Sequence, residues 1–113
     1  MSRKRVIKAL KGLGLTEVDA QVYVFLAKQG PHKKGEIALT LNLHERKVDR
    51  SLKELQSISI VKASIQVPLE FMAVPFEEVI DLFIEVKKEQ AKTMHESREK
   101  LLSSWKATIK KKS

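Results

Sequence analysis

Three cations at helical spacing are the side chains here best suited to chemistry. Val48, Leu52 and Leu55 recur at steps of four and three, the spacing of one helical face. On the same helix Arg46, Arg50 and Lys53 fall opposite that stripe, within an arc of about 60°. Arginine presents a planar fork that matches the two acceptors of a guanine edge, while an ammonium neutralises phosphate. Residues 44–57 therefore read as a helix that could enter a DNA groove. The same pattern also describes an ordinary solvated face, so the surrounding elements have to decide. On the DNA reading, Arg46 and Arg50 are the candidates for base edges, and Lys47 and Lys53 for phosphates. Lys33 and Lys34 join them at the start of the preceding helix, where backbone N–H groups also point outward. Thr40 and Asn42 are candidate backbone contacts, His44 is a further DNA-contact candidate, and either Asn42 or His44 can cap the reading helix. Glu45 and Asp49 share this surface and repel phosphate unless they pair with a neighbouring cation.

The elements that would position these residues follow from periodicity and punctuation. Residues 2–11 form an amphipathic helix with Val6, Ile7 and Leu10 on one side, ended by Gly12 and Gly14. Thr16 caps the next helix, with Glu17 and Asp19 at its positive end. Its buried face is Val18, Val22, Phe25 and Leu26, with Ala20, Val24 and Ala27 around them and Tyr23 assigned to the core. Gly30-Pro31 stops it. A short helix over 34–40 buries Ile37, Ala38 and Leu41, and Asn42-Leu43 turns the chain into the reading helix. Two helices joined by so short a turn are a helix-turn-helix.

After Ser57 the period changes from helical to alternating. Residues 61–67 place Val61, Ala63, Ile65 and Val67 on one side, Pro68 interrupts, and residues 69–74 alternate again, which reads as a hairpin. Pro75 then leads into a helix of about 76–110. The fold class expected is mainly α with a small β-hairpin: a winged helix-turn-helix over 1–75, then a long helix with a basic tail over 76–113. In that helix Val79, Leu82, Phe83 and Val86 are placed to cover the first domain or a partner helix. Met94, Arg98, Leu101, Trp105 and Thr108 follow the alternating steps of a heptad seam. Val79, Leu82, Phe83, Val86, Met94, Leu101 and Trp105 are the dimerisation candidates, and a coiled-coil homodimer is the expected assembly.

Charge agrees with a polyanionic partner. The 113 residues carry 22 Lys and Arg against 14 Asp and Glu, a formal net charge of +8. The excess sits at both ends, in Arg3, Lys4, Arg5, Lys8 and Lys11 and in Lys106, Lys110, Lys111 and Lys112, and around the reading helix. With no cysteine, thiolate metal sites, disulfides and cysteine nucleophiles are excluded. His32, His44 and His95 lack metal-ligand spacing, and there is no glycine-rich phosphate loop. No metal, cofactor or catalysis is expected. No apolar run reaches membrane-spanning length and no signal peptide is evident, so a cytoplasmic location is expected.

Several pieces in order resemble a known family. Leu13-Gly14-Leu15-Thr16, Tyr23, Gly30-Pro31, Glu36-Ile37-Ala38, the pair Leu52 and Leu55 with Ile60-Val61, and Pro68, Phe71 and Val74-Pro75 are similar to the N-terminal DNA-binding domain of the TrmB family of mostly archaeal transcriptional regulators. The resemblance covers residues 6–83 and implies a winged-helix fold, dimerisation and sequence-specific binding of promoter DNA. The chain departs from the family at three places. Asp49 stands where an aromatic is usual, Ser59 replaces a glycine past the reading helix, and the wing around residues 65–68 has no Arg or Lys. Members often add a C-terminal sugar-binding domain, and no segment here is long enough to be one. The expected function is a homodimeric regulator that reads double-stranded DNA with residues 44–57. The alternative is a winged-helix module that binds protein, or chromatin and transcription machinery without sequence preference.

Overall fold

The structure is a computed structural model that describes residues 3–110. Ser2, at the expected start of the first helix, and Lys111 and Lys112 of the basic tail lie outside the described residues. Four helices come first: α1 (Arg3–Gly12), α2 (Glu17–Gln29), α3 (Lys34–Leu41) and α4 (Glu45–Ser57). The strands β1 (Val61–Ala63) and β2 (Phe71–Ala73) and the helix α5 (Phe76–Lys110) complete the chain. This is the winged helix-turn-helix arrangement followed by a long helix. The chain divides into two compact units between Val79 and Ile80.

Helix boundaries in the first unit are set by specific caps. Thr16 starts α2 with a capping box: its Oγ1 accepts the Asp19 N–H at 3.1 Å, and Asp19 Oδ2 accepts the Thr16 N–H at 3.4 Å. At α3 the Glu36 carboxylate accepts the Lys33 N–H at 2.8 Å. Three helices close with the same crossed pair of backbone bonds. Past α1, the N–H groups of Leu15 and Gly14 reach the carbonyls of Leu10 and Lys11; past α3, Leu43 and Asn42 reach Ala38 and Leu39; past α4, Ile60 and Ser59 reach Leu55 and Gln56. The residue at the crossing is left-handed each time, with φ of 106° at Gly14, 54° at Asn42 and 67° at Ser59. Asn42 therefore ends α3 and His44 caps α4, which resolves the choice between them.

The core sits where α2 crosses α4 and the hairpin. Val22, Tyr23 and Leu26 of α2, Ile37 of α3, and Val48, Leu52 and Leu55 of α4 are all at most 2% exposed, and Leu10, Ile60 and Val79 join them. Burying each such side chain contributes roughly 1.5–3 kcal/mol. Tyr23 is core, as expected, and its hydroxyl donates to the Val74 carbonyl at 2.5 Å, tying α2 to the segment that leads into α5. Phe25 is only half-buried, its ring edge-on to His32 at 4.8 Å, and Ala27 is exposed. The expected face was thus drawn too wide. Residues 22, 23 and 26 carry it, and Phe25 covers its margin.

The hairpin is shorter than the alternation suggested. β1 and β2 pair antiparallel with Val61 opposite Ala73 and Ala63 opposite Phe71, and His32 bridges to Phe71 on the open edge. Ser64 closes the ladder. Its N–H donates to the Glu70 carbonyl at 2.8 Å and its Oγ accepts the Glu70 N–H at 2.9 Å. The Ser64 hydroxyl can donate to the carbonyl of Gln66 or of Pro68, at 3.1 and 3.2 Å. With the backbone turned at that point, Ile65 and Val67 leave the face of Val61 and stand fully exposed, at 101% and 97%.

In α5 only the first turn belongs to the core. Val79 is completely buried within the first unit, so it is withdrawn from the candidate dimer face. The second unit consists of α5 from Ile80 onward, with Leu82, Val86, Met94, Leu101 and Trp105 exposed and Phe83 half-exposed.

Candidate nucleic-acid interface

The outer face of α4 is fixed by its inner face. Val48 and Leu55 are 0% exposed and Leu52 is 1% exposed, which leaves the helix no freedom to rotate about its axis. A further inner contact was not legible in advance. Ser51 is buried, and its hydroxyl donates to Asp19 Oδ1 at 2.6 Å. Asp19 is itself 6% exposed and lies in the first turn of α2, where free backbone N–H groups stabilise its charge. The Thr16 to Asp19 spacing is the signal that could have marked the carboxylate as a structural group. Nothing in the spacing identifies Ser51 as its partner. The pair pins the middle of α4 to the start of α2.

With the helix so held, Lys34, Glu45, Arg46, Asp49, Arg50 and Lys53 line one shallow depression between α3 and α4. Four cations against two carboxylates leave it net positive by two. Asp49 organises the group. It accepts from Lys53 Nζ at 3.0 Å, one turn along α4, and from Lys34 Nζ at 3.5 Å across the turn from α3. Hydrogen bonding from Lys53, with Lys34 adding to it, holds the Asp49 carboxyl below the usual carboxylate range. Whatever the two bridges contribute is therefore present near neutrality and lost as pH falls through that lowered value. Arg46 and Arg50 are exposed, and neither makes a side-chain hydrogen bond or ion pair among the described residues. The departure at Asp49 thus sorts the cations: it occupies two lysines and leaves both arginines unpaired.

The remaining candidates are spread more widely. His44 Nδ1 accepts the Arg46 N–H at 3.2 Å, which puts the ring proton on the exposed Nε2. Lys47 is exposed on the flank of α4, where a second depression runs past Arg50 toward Thr16 and Val18. Lys33 and Asn42 are exposed at the two ends of α3, and the backbone of Asn42 is committed to closing that helix. Thr40 is not brought to this group. It lines a separate depression with Phe25, His32 and Leu41. Among the described residues no cluster of His, Asp and Glu could hold a metal ion, and no helix is long and apolar enough to cross a membrane.

Two helices joined by a three-residue turn, a cationic outer face on the second and a hairpin behind it define a winged helix-turn-helix, a class whose members bind DNA. The family described as sugar-specific transcriptional regulator TrmB matches residues 10–77, and the chain belongs to it. Family and fold together make it a DNA-binding transcriptional regulator. No curated protein matches it in sequence. Among solved structures it is similar to TrmBL2, an archaeal chromatin protein, with a TM-score of 0.84 at 21% identity over 92% of this chain. The match spans only 40% of TrmBL2's length. It is also similar to a possible transcriptional regulator from Methanosarcina mazei Go1, with a TM-score of 0.67 at 18% identity over 88% of each chain. The transcriptional regulator Tm0710 from Thermotoga maritima aligns with a TM-score of 0.58 at 19% identity, over 98% of this chain and 88% of that one.

Proposed function

We propose that this chain acts in the cytoplasm as a homodimeric regulator that reads promoter DNA with α4 in the major groove and pairs through α5. The observation that carries the reading is the contrast on the outer face of α4. Lys34 and Lys53 are engaged by Asp49, while Arg46 and Arg50 are exposed and unpaired. Arg46 and Arg50 supply the base contacts, each contributing about 1–3 kcal/mol of discrimination. Lys33, Lys34, Lys47 and Lys53 hold phosphates, and His44 presents Nε2–H at the mouth of the groove. Residues 1–75 belong to the reading domain, and residues 76–113 supply the pairing helix and its basic tail.

A binding series against salt tests this. Regulator and preferred fragment are titrated beside a scrambled fragment, and the affinity gap persists at moderate salt. Arg46→Ala with Arg50→Ala closes that gap. If affinity and preference both survive the double change, the site is misassigned. The second reading, binding without sequence preference, is favoured by the likeness to a protein described as a chromatin protein and by the lack of Arg and Lys at residues 65–68 of the wing. It requires the two fragments to lose affinity together from the outset.

A further inference from the structure

The second unit shows a longer apolar seam than the segment around Met94 alone. Continued toward the N-terminus by alternating steps of four and three, the line through Trp105, Leu101, Arg98 and Met94 takes in Ala91, Lys87, Ile84 and Ile80. Ile80, Ile84, Met94, Leu101 and Trp105 on this line are 38%, 46%, 74%, 64% and 61% exposed, and their alignment along one face, rather than any single exposure, is what marks an association surface. Ala91, Met94, His95, Arg98, Leu101 and Leu102 already form a shallow hollow along it, the kind of hole into which a partner's side chain inserts. Leu82 and Val86 lie off this line, beside the side of the helix that carries Val79.

We infer that a second copy of α5 covers this seam and that it runs antiparallel. This rests on the homodimer reading above and adds its orientation and register. Size matching is the first argument. A parallel pair sets Trp105 against Trp105 and Ala91 against Ala91, one layer overfilled and another empty. An antiparallel pair centred between residues 92 and 93 sets Trp105 opposite the smaller Ile80, Met94 opposite the smaller Ala91 and Leu101 opposite the equal-sized Ile84, so no layer pairs two of the largest or two of the smallest residues. Charge is the second argument. Residues 77–85 carry Glu77, Glu78, Asp81 and Glu85 with no cation. Residues 98–110 carry Arg98, Lys100, Lys106 and Lys110 against Glu99 alone. Parallel pairing brings like ends together, whereas antiparallel pairing lays the acidic end of each copy along the basic end of the other. Lys87 and Arg98 within the seam face a cation in either orientation, so they do not choose between them.

The orientation fixes a distance. With a rise of about 1.5 Å per residue, the two copies of Ile80 stand about 38 Å apart along an antiparallel pair, against about 10 Å in a parallel one.

The chain has no cysteine, so one introduced thiol marks one position. Spin labels on Thr93→Cys and, separately, on Ala107→Cys in the full chain report label-to-label distances by pulsed dipolar spectroscopy. Antiparallel pairing gives a short distance at residue 93, about 20 Å, and a long one at residue 107, about 45 Å. Short distances at both positions overturn the orientation and leave the dimer standing. No dipolar coupling at either position overturns both.

Discussion

α4 and the part of α5 beyond Ile80 are both amphipathic helices, and the protein treats their apolar stripes in opposite ways. In α4 the stripe of Val48, Leu52 and Leu55 is at most 1% exposed. In α5 Met94, Leu101 and Trp105 are 61–74% exposed. α4 is thirteen residues long and finds its cover within the first unit, on α2 and the hairpin. Its polar face is thereby aimed in one fixed direction, as a reading surface requires. The other stripe stays exposed along α5, and on the proposed pairing a second copy covers it. One helix is oriented by folding, the other, on that proposal, by assembly.

The largest effect should follow from disturbing the internally covered stripe. Leu52→Ala leaves a cavity under α4 and costs about 2–5 kcal/mol in urea unfolding followed by circular dichroism. A loss below about 1 kcal/mol would mean that α4 is not held as described. Leu101→Glu with Trp105→Glu probes the other stripe. Unfolding of the first unit should be unchanged, while sedimentation velocity should show monomer, against the dimer expected of the parent chain. A double variant that remains dimeric would place the assembly surface elsewhere.

Tyr23 offers a second test on the covered side. Tyr23→Phe removes the bond to the Val74 carbonyl and costs about 1–3 kcal/mol, because that acceptor loses its partner. Burial also pushes the phenol from 10.0 up to about 12. The folded state favours the neutral phenol, so its stabilisation is intact below pH 10 and is lost as pH rises through 12. In Tyr23→Phe that part of the alkaline decline should disappear.

Ser59→Gly tests how α4 ends. A left-handed serine pays a steric cost that glycine avoids, so the variant should be more stable by about 1 kcal/mol in the same unfolding measurement. The smallest effect concerns the outer face itself. Asp49→Asn frees Lys34 and Lys53 and removes a negative charge facing phosphate. DNA affinity should rise about two- to fivefold for every sequence, with preference unchanged. A changed preference would mean that residue 49 itself takes part in base reading.

Much of the first unit was legible because its signals are local. Thr16, Gly30-Pro31 and Pro75 act on their own backbone, and the periods of α4 and α5 need no partner to be counted. The cationic line of Arg46, Arg50 and Lys53 could be drawn for the same reason. What failed was long-range or depended on competition. Ile65 and Val67 alternate like strand residues, but Ser64 closes the hairpin before them. Val79 resembles its neighbours in α5 and yet is the one taken into the core.

The amino-acid sequence by itself determined the order of elements, the amphipathic faces and the line of cations, since these depend on steps of three or four residues. Only the tertiary structure decided how those cations divide. Lys34 is fifteen residues from Asp49 and meets it because the turn at Asn42 folds α3 against α4. Ser51 is thirty-two residues from Asp19 and meets it because α4 packs on the start of α2. Electrostatics acts through space over a few ångströms, so which charges are engaged and which are left for a partner is settled by packing.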